Sequence, residues 1–97
     1  MSDKIIKYDN LEHGGFDGGG TEILLYNGKP FTGIMYDEEK DGSLAFEIEY
    51  QDGYLEGKTI YFYPNGKVQE EYVSHNNDVV EGTYRRYDEE GNITGKM

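Results

Sequence analysis

The sequence predicts an all-β fold, a single-domain antiparallel β-meander of hairpin repeats with roughly six to eight strands. Three observations carry that prediction. Glycines recur in registered pairs nine positions apart, Gly33/Gly42, Gly57/Gly66 and Gly82/Gly91, and the leading glycines are separated by 24 and 25 residues; such a period is sought before any motif is believed. Asn27-Gly28, Asp41-Gly42, Asp52-Gly53 and Asn65-Gly66 fall between extended runs, and these dipeptides are strong hairpin signals because both central positions of a type I′ turn need φ > 0. Ten tyrosines and four phenylalanines are spread along the chain, and no stretch shows a convincing helical period.

Each element follows from local pattern. Residues 1–22 are expected to form an N-terminal edge strand plus a Gly-rich loop, and residues 23–97 the hairpin repeats, within one domain spanning 1–97. "KIIKY" reads as an edge strand guarded against aggregation by Lys4 and Lys7. "HGGFDGGG", residues 13–20 with its glycine segment 14–20, is expected to be a flexible loop. "IMY" reads as a strand, and the charged run Tyr36 to Lys40 as a loop or widened hairpin. In "SLAFEIEY", residues 43–50, Leu44, Phe46, Ile48 and Tyr50 alternate with Ala45, Glu47 and Glu49, giving a core face and an acidic wet face. Both parities of "KTIYFY" are apolar or aromatic, so its exposed side is open, and "VQEEYV" is equally undecided. "TYRRY" supplies the last aromatic-bearing strand.

Composition narrows the function classes. Twenty acidic residues against nine basic ones give a formal net charge of −11, which disfavours direct binding to nucleic acid or an anionic membrane and favours a basic protein partner; solubility alone is the alternative. There is no cysteine, hence no disulfide framework, thiolate zinc site or cysteine nucleophile. No apolar signal-like or membrane-length stretch is visible, so the expected compartment is the cytoplasm. Asn92-Ile93-Thr94 matches a glycosylation sequon, read as chance without a secretion signal.

The chemical motifs fail on spacing. Gly57-Lys58-Thr59 ends like a phosphate loop, but Asp52 stands where the first glycine must be, and "TIYFYPNGK" cannot form the helix that should follow. Lys58-Thr59 is expected to be a solvent-edge pair. Asp37 to Gly42 opens like an EF-hand loop, but the twelfth position is Ile48, which cannot supply the bidentate carboxylate. His13 and His75 lie far apart in loop-like segments and read as surface histidines. Glu47/Glu49 lack apolar enclosure and Glu70/Glu71 point to opposite faces, so neither pair is set up for acid/base work. Arg85-Arg86 is expected to form cross-strand ion pairs. No catalytic residue, metal ligand or cofactor is expected.

"GKTIYFYPNGKVQEEY" and "EGTYRRYDEEGNITGK" resemble the variant MORN repeat: a glycine, an aromatic pair, a turn ending Asn-Gly-Lys, then an acidic strand ending in Tyr. "LYNGKPFTGIMYDEE" is similar to the opening segment of bacterial YwqK-like antitoxin proteins built from that repeat. Unit one departs with Asp41-Gly42-Ser43 and unit three with Glu90-Gly91-Asn92, and the "SHNND" connection falls outside the pattern. The resemblance implies a hairpin-repeat scaffold in which Gly57 begins a strand, and an antitoxin or immunity protein that occludes a cognate toxin domain of basic nuclease type. Expected partner-binding residues are Asp37, Glu38, Glu39, Glu47 and Glu49, mimicking phosphates, with Tyr61, Tyr63, Tyr84 and Tyr87 giving apolar contact. The alternative is a non-catalytic structural β-repeat module for protein–protein interaction or self-assembly through a sheet edge.

Overall fold

A computed structural model describes residues 4–20 and 22–96, with only the backbone of Lys4. All of its regular structure is strand apart from one 3₁₀ turn at Tyr8–Asn10. The strands are β1 Lys4–Lys7, β2 Glu12–Phe16, β3 Glu22–Tyr26, β4 Lys29–Pro30, β5 Gly33–Glu38, β6 Leu44–Gln51, β7 Tyr54–Phe62, β8 Val68–His75, β9 Asp78–Val79, β10 Arg85–Tyr87 and β11 Ile93–Lys96. The main sheet has the order β1-β5-β6-β7-β8-β10-β11, with β9 paired to β8, and a second sheet has the order β2-β3-β4.

From β5 onward the main sheet is the expected antiparallel meander. Three features depart from expectation. β1 is an edge strand but runs parallel to β5, with Ile5 opposite Ile34 and Lys7 opposite Tyr36. The segment expected to be a flexible loop instead supplies β2, which pairs antiparallel with β3 through Glu12–Leu25 and His13–Leu24 and carries a bulge before Phe16. Glycine there serves close approach rather than freedom: a Cβ on Gly14 would sit 2.7 Å from Leu25 Cγ. The charged run beginning at Tyr36 is likewise strand as far as Glu38.

Two turn chemistries build the hairpins. Asn27-Gly28 and Asp52-Gly53 have φ > 0 at both positions, as a type I′ turn requires, and so do Asn76 (49°) and Asn77 (73°), which turn β8 into β9. The three repeat tips differ from the expected type. Only the glycine is left-handed at Gly42, Gly66 and Gly91, while Asp41, Asn65 and Glu90 are not. Each tip closes with the glycine N–H donating three residues back, Gly66 to Tyr63 O at 2.9 Å, and a second bond, Tyr63 N to Lys67 O at 2.8 Å. That is the three-residue loop of a type I turn followed by one left-handed residue. The repeat is exact in another respect: a register shift falls at Asp37/Glu38, Tyr61/Phe62 and Arg86/Tyr87, the same spacing as the leading glycines.

The second sheet covers one face of the main sheet over only part of its width. Leu24, Phe31 and Met35 are buried, with Ile6, Leu11, Tyr26, Phe46, Ile48 and Tyr50 packed around them. Phe31, 1% exposed, meets Tyr26 edge-on at 6.2 Å and Tyr50 at 6.1 Å between ring centroids; burying such a ring contributes about 1.5–3 kcal/mol. The joint between the sheets is the Gly53 turn. Gly53 N–H donates to Phe31 O at 2.8 Å, Leu24 N–H donates to Gly53 O at 3.0 Å, and Phe31 N–H donates to Leu24 O at 2.9 Å. A Cβ at Gly53 would lie 2.5 Å from Ile23 Cγ2, so only glycine fits there.

Candidate functional site

Register decides which side chains share a face. On β6 and β7 the pairs Phe46–Tyr61 and Ile48–Thr59 lie toward the second sheet, and Thr59 is 1% exposed. The open question in "KTIYFY" is thereby answered, and Thr59 is a core residue rather than part of a solvent-edge pair; Lys58 alone is exposed. The opposite face is uncovered by any described segment. There Ile34 pairs with Glu49, Tyr36 with Glu47, and Glu47 in turn with Ile60, and Ile34, Glu47, Glu49, Lys58 and Ile60 line a groove of about 210 Å³.

Glu47 and Glu49 therefore do occupy the same face, but with different duties. Gly57 lies inside β7 rather than at its start, in a bulge where the register between β6 and β7 shifts between Ile48 and Tyr50. Its φ is 103°, and a Cβ there would sit 2.9 Å from Glu49 Oε1. The Glu49 carboxylate folds over the bulge and accepts the Lys58 backbone N–H at 2.8 Å. Glu47 has no side-chain hydrogen bond or ion pair among the described residues.

The other expected site residues are dispersed. Glu38 forms an ion pair with Lys7 at 3.3 Å, which raises the Lys7 pKa through that hydrogen bond and charge. Asp37 Oδ1 accepts the Glu38 N–H at 2.8 Å, and the exposed Glu39 sits at the first hairpin tip. Tyr61 faces Phe46, with ring centroids 5.9 Å apart, and burial raises its pKa. Tyr84 stacks on Tyr72 at 6.4 Å and donates to Glu70 Oε2 at 2.6 Å. Tyr87 donates to Glu71 Oε2 at 2.6 Å, and these bonds raise both phenol pKa values. Tyr63 donates to Tyr87 O at 2.7 Å. Glu70 and Glu71 thus serve opposite faces, as expected, but their partners are tyrosines. Arg85 and Arg86 stand opposite Glu71 and Glu70 without a close Arg–Glu ion pair among the described residues; Arg85 Nη1 donates instead to the carbonyls of Gly82 and Tyr84.

One contact network explains the Asn-Gly-Lys turn. Asn65 Oδ1 accepts the Lys67 N–H at 2.9 Å, its Nδ2 donates to Glu89 O at 3.0 Å, and Lys67 Nζ donates to Glu90 O at 3.2 Å. The second tip thereby holds the third. Asp41 and Ser43, at the matching positions of unit one, bond each other, with Ser43 N–H and Oγ–H donating to Asp41 Oδ1 at 2.8 and 2.6 Å. Those bonds lower the Asp41 pKa.

Both histidines are paired with glutamates. His13 Nδ1 lies 2.9 Å from Glu22 Oε2, and its Nε2 3.2 Å from the Tyr8 hydroxyl, beside a cavity of about 200 Å³ between the sheets. His75 Nδ1 lies 2.9 Å from Glu56 Oε1, raising the His75 pKa and lowering that of Glu56, with the shared hydrogen bond the leading cause of each. Among the described residues, no group of three or more His, Cys, Asp or Glu side chains is placed to hold a metal ion. No described helix is long and apolar enough to cross a membrane.

Sequence comparison adds a likeness over two of the hairpins. The model of the MORN repeat variant matches residues 55–77 and 80–97, the stretches that hold β7 with β8 and β10 with β11; the hairpin that begins at Gly33 lies outside the match. No curated protein and no solved structure matches the chain. The molecule is thus a β-repeat protein whose second and third hairpins are similar to the MORN repeat variant.

Proposed function

We propose that the protein is a non-catalytic β-repeat module that binds another protein. The observation that carries this reading is the repeated hairpin itself: units similar to the MORN repeat variant extend a sheet, and one of its faces is left uncovered with apolar and acidic side chains side by side. Extended sheets built from short repeats bury each unit against its neighbours and leave a broad surface for recognition. A net charge of −11 supports a basic partner, through steering and complementarity.

A finer reading, favoured by that charge, is an antitoxin or immunity protein whose partner is a cationic toxin domain. Its test is co-expression with the product of the adjoining reading frame. Growth arrest by that product alone, relief when both are made, and a co-sedimenting complex whose association slows with added salt are expected. A harmless neighbour removes the antitoxin reading. The module reading fails if the purified chain stays free in sedimentation against the products of the adjoining reading frames and against a lysate of its own source.

A further inference from the structure

Along β6, Glu47 and Glu49 project to the same side, about 6.5–7 Å apart along the strand, and each has an isoleucine directly across on a neighbouring strand, Ile60 for Glu47 and Ile34 for Glu49. The result is a groove of about 210 Å³ with isoleucine on both flanks, carboxylates on the middle strand and the Lys58 stem on one wall. Lys58 makes no side-chain ion pair and Glu47 no polar contact among the described residues, so the groove's charges are not consumed internally. Beyond it the same face continues with Tyr36 and Ile5, the latter 64% exposed.

Resting on the protein-binding reading above, we propose that this groove is a slot for a single arginine side chain of a partner protein. The methylene stem of arginine is apolar and needs apolar walls, which Ile34 and Ile60 provide, while its head needs carboxylate. A planar guanidinium spreads its donors over two directions and reaches two acceptors, whereas an ammonium is a compact point charge. Glu47 is the free acceptor. Glu49 already has Oε1 on the Lys58 N–H, which holds the carboxylate in place and leaves Oε2 for the ligand. Lys58 repels the incoming cation and sets the slot's affinity low in the absence of the rest of the interface.

The test is an NMR titration of the full chain with a blocked Leu-Arg-Leu tripeptide and its citrulline counterpart. Amide shifts are expected to concentrate at Ile34, Glu47, Glu49, Lys58 and Ile60, to weaken with salt, and to be far smaller with citrulline. Glu47→Gln should reduce affinity about two- to fivefold, the range of a solvent-accessible ion pair. Lys58→Met should raise it, and Glu81→Gln, which makes the same change in net charge at an exposed position away from the groove, should leave it unchanged. Shifts scattered over all the acidic tips, or equal losses from Glu47→Gln and Glu81→Gln, would overturn the slot. They would leave the module reading standing, because that reading is tested by complex formation. Unaltered spectra of the Glu47→Gln variant outside the groove show that it folds.

Discussion

Substituting Gly53 by alanine tests the account of how the two sheets are joined. Gly53 has φ of +87°, and an added Cβ would lie 2.5 Å from Ile23 Cγ2 and 3.0 Å from the carbonyl oxygen of Leu24. Two costs follow. Holding an L-residue in the left-handed region costs about 1–2 kcal/mol. Relieving the overlap costs a further 1–3 kcal/mol or so, since the β-branched Ile23 is stiff at χ1 and Leu24 O is backbone. Moving the turn away would also strain the Gly53–Phe31 and Leu24–Gly53 bonds, each worth about 0.5–1.5 kcal/mol net. The sum is about 2–5 kcal/mol, a loss of roughly 10–30 °C in Tm for a domain this small. Gly66→Ala is the control, because Gly66 has a matching φ of +89° with nothing within 4 Å of the added Cβ. It should lose only the conformational part, about 1–2 kcal/mol. Thermal and urea unfolding of the two variants gives the comparison. If Gly53→Ala is no less stable than Gly66→Ala, the turn is not the tight joint between the sheets.

Three further outcomes are expected. Asn65→Ala removes the acceptor of Lys67 N–H and the donor to Glu89 O, so it should destabilise the fold by about 1–2 kcal/mol and speed amide exchange at Lys67 and in the third hairpin. The Glu56–His75 pair should make stability depend on pH from two sides. The His75 pKa is raised, so its contribution is complete below 6.5 and is lost as pH climbs through the folded value; the Glu56 pKa is lowered, so its contribution is present above 4.5 and is lost as pH falls through the folded value. Wild type and His75→Gln should therefore differ most between those limits and draw together as pH rises through the folded His75 value, as read by chemical denaturation. Burial pushes the Tyr50 phenol up to about 12, so ultraviolet titration should show one fewer late-titrating tyrosine in Tyr50→Phe than in wild type, and wild-type stability should fall above pH 10 as the unfolded phenol ionises first.

Much of this fold is local chemistry and is therefore visible in the chain. Left-handed glycines at Gly42, Gly66 and Gly91 mark hairpin tips because an L side chain resists that conformation, and the alternation of Phe46, Ile48 and Tyr50 with Glu47 and Glu49 separates the two faces of β6 without reference to any other strand. Asn-Gly-Lys is likewise recognisable as a turn. Its reach to the carbonyls of Glu89 and Glu90 depends on a neighbour 23–24 residues away.

Other features belong to the tertiary structure. Residues 13–20 look like a flexible linker because glycine carries no hydrophobic period, yet Gly14 lets β2 close against Leu25 and build the second sheet. The parity of β7 was ambiguous for a matching reason: Thr59 and Tyr61 are no more apolar than Ile60, and only the position of Leu24, Phe31 and Met35 buries one set. The expected partner-binding tyrosines do not form one patch: Tyr84 and Tyr87 are three positions apart and serve opposite faces through Glu70 and Glu71, and a bulge between Tyr61 and Phe62 breaks the alternation that would align Tyr61 with Tyr63. The sequence by itself determined the reversals at the Asn-Gly and Asp-Gly pairs and at the repeat glycines, though not the Asn76-Asn77 turn, because φ > 0 is a property of single residues. Which face is covered, and hence that Glu47 and Glu49 meet Ile34 and Ile60 in one groove, was decided only by tertiary structure, because burial depends on what packs across the sheet.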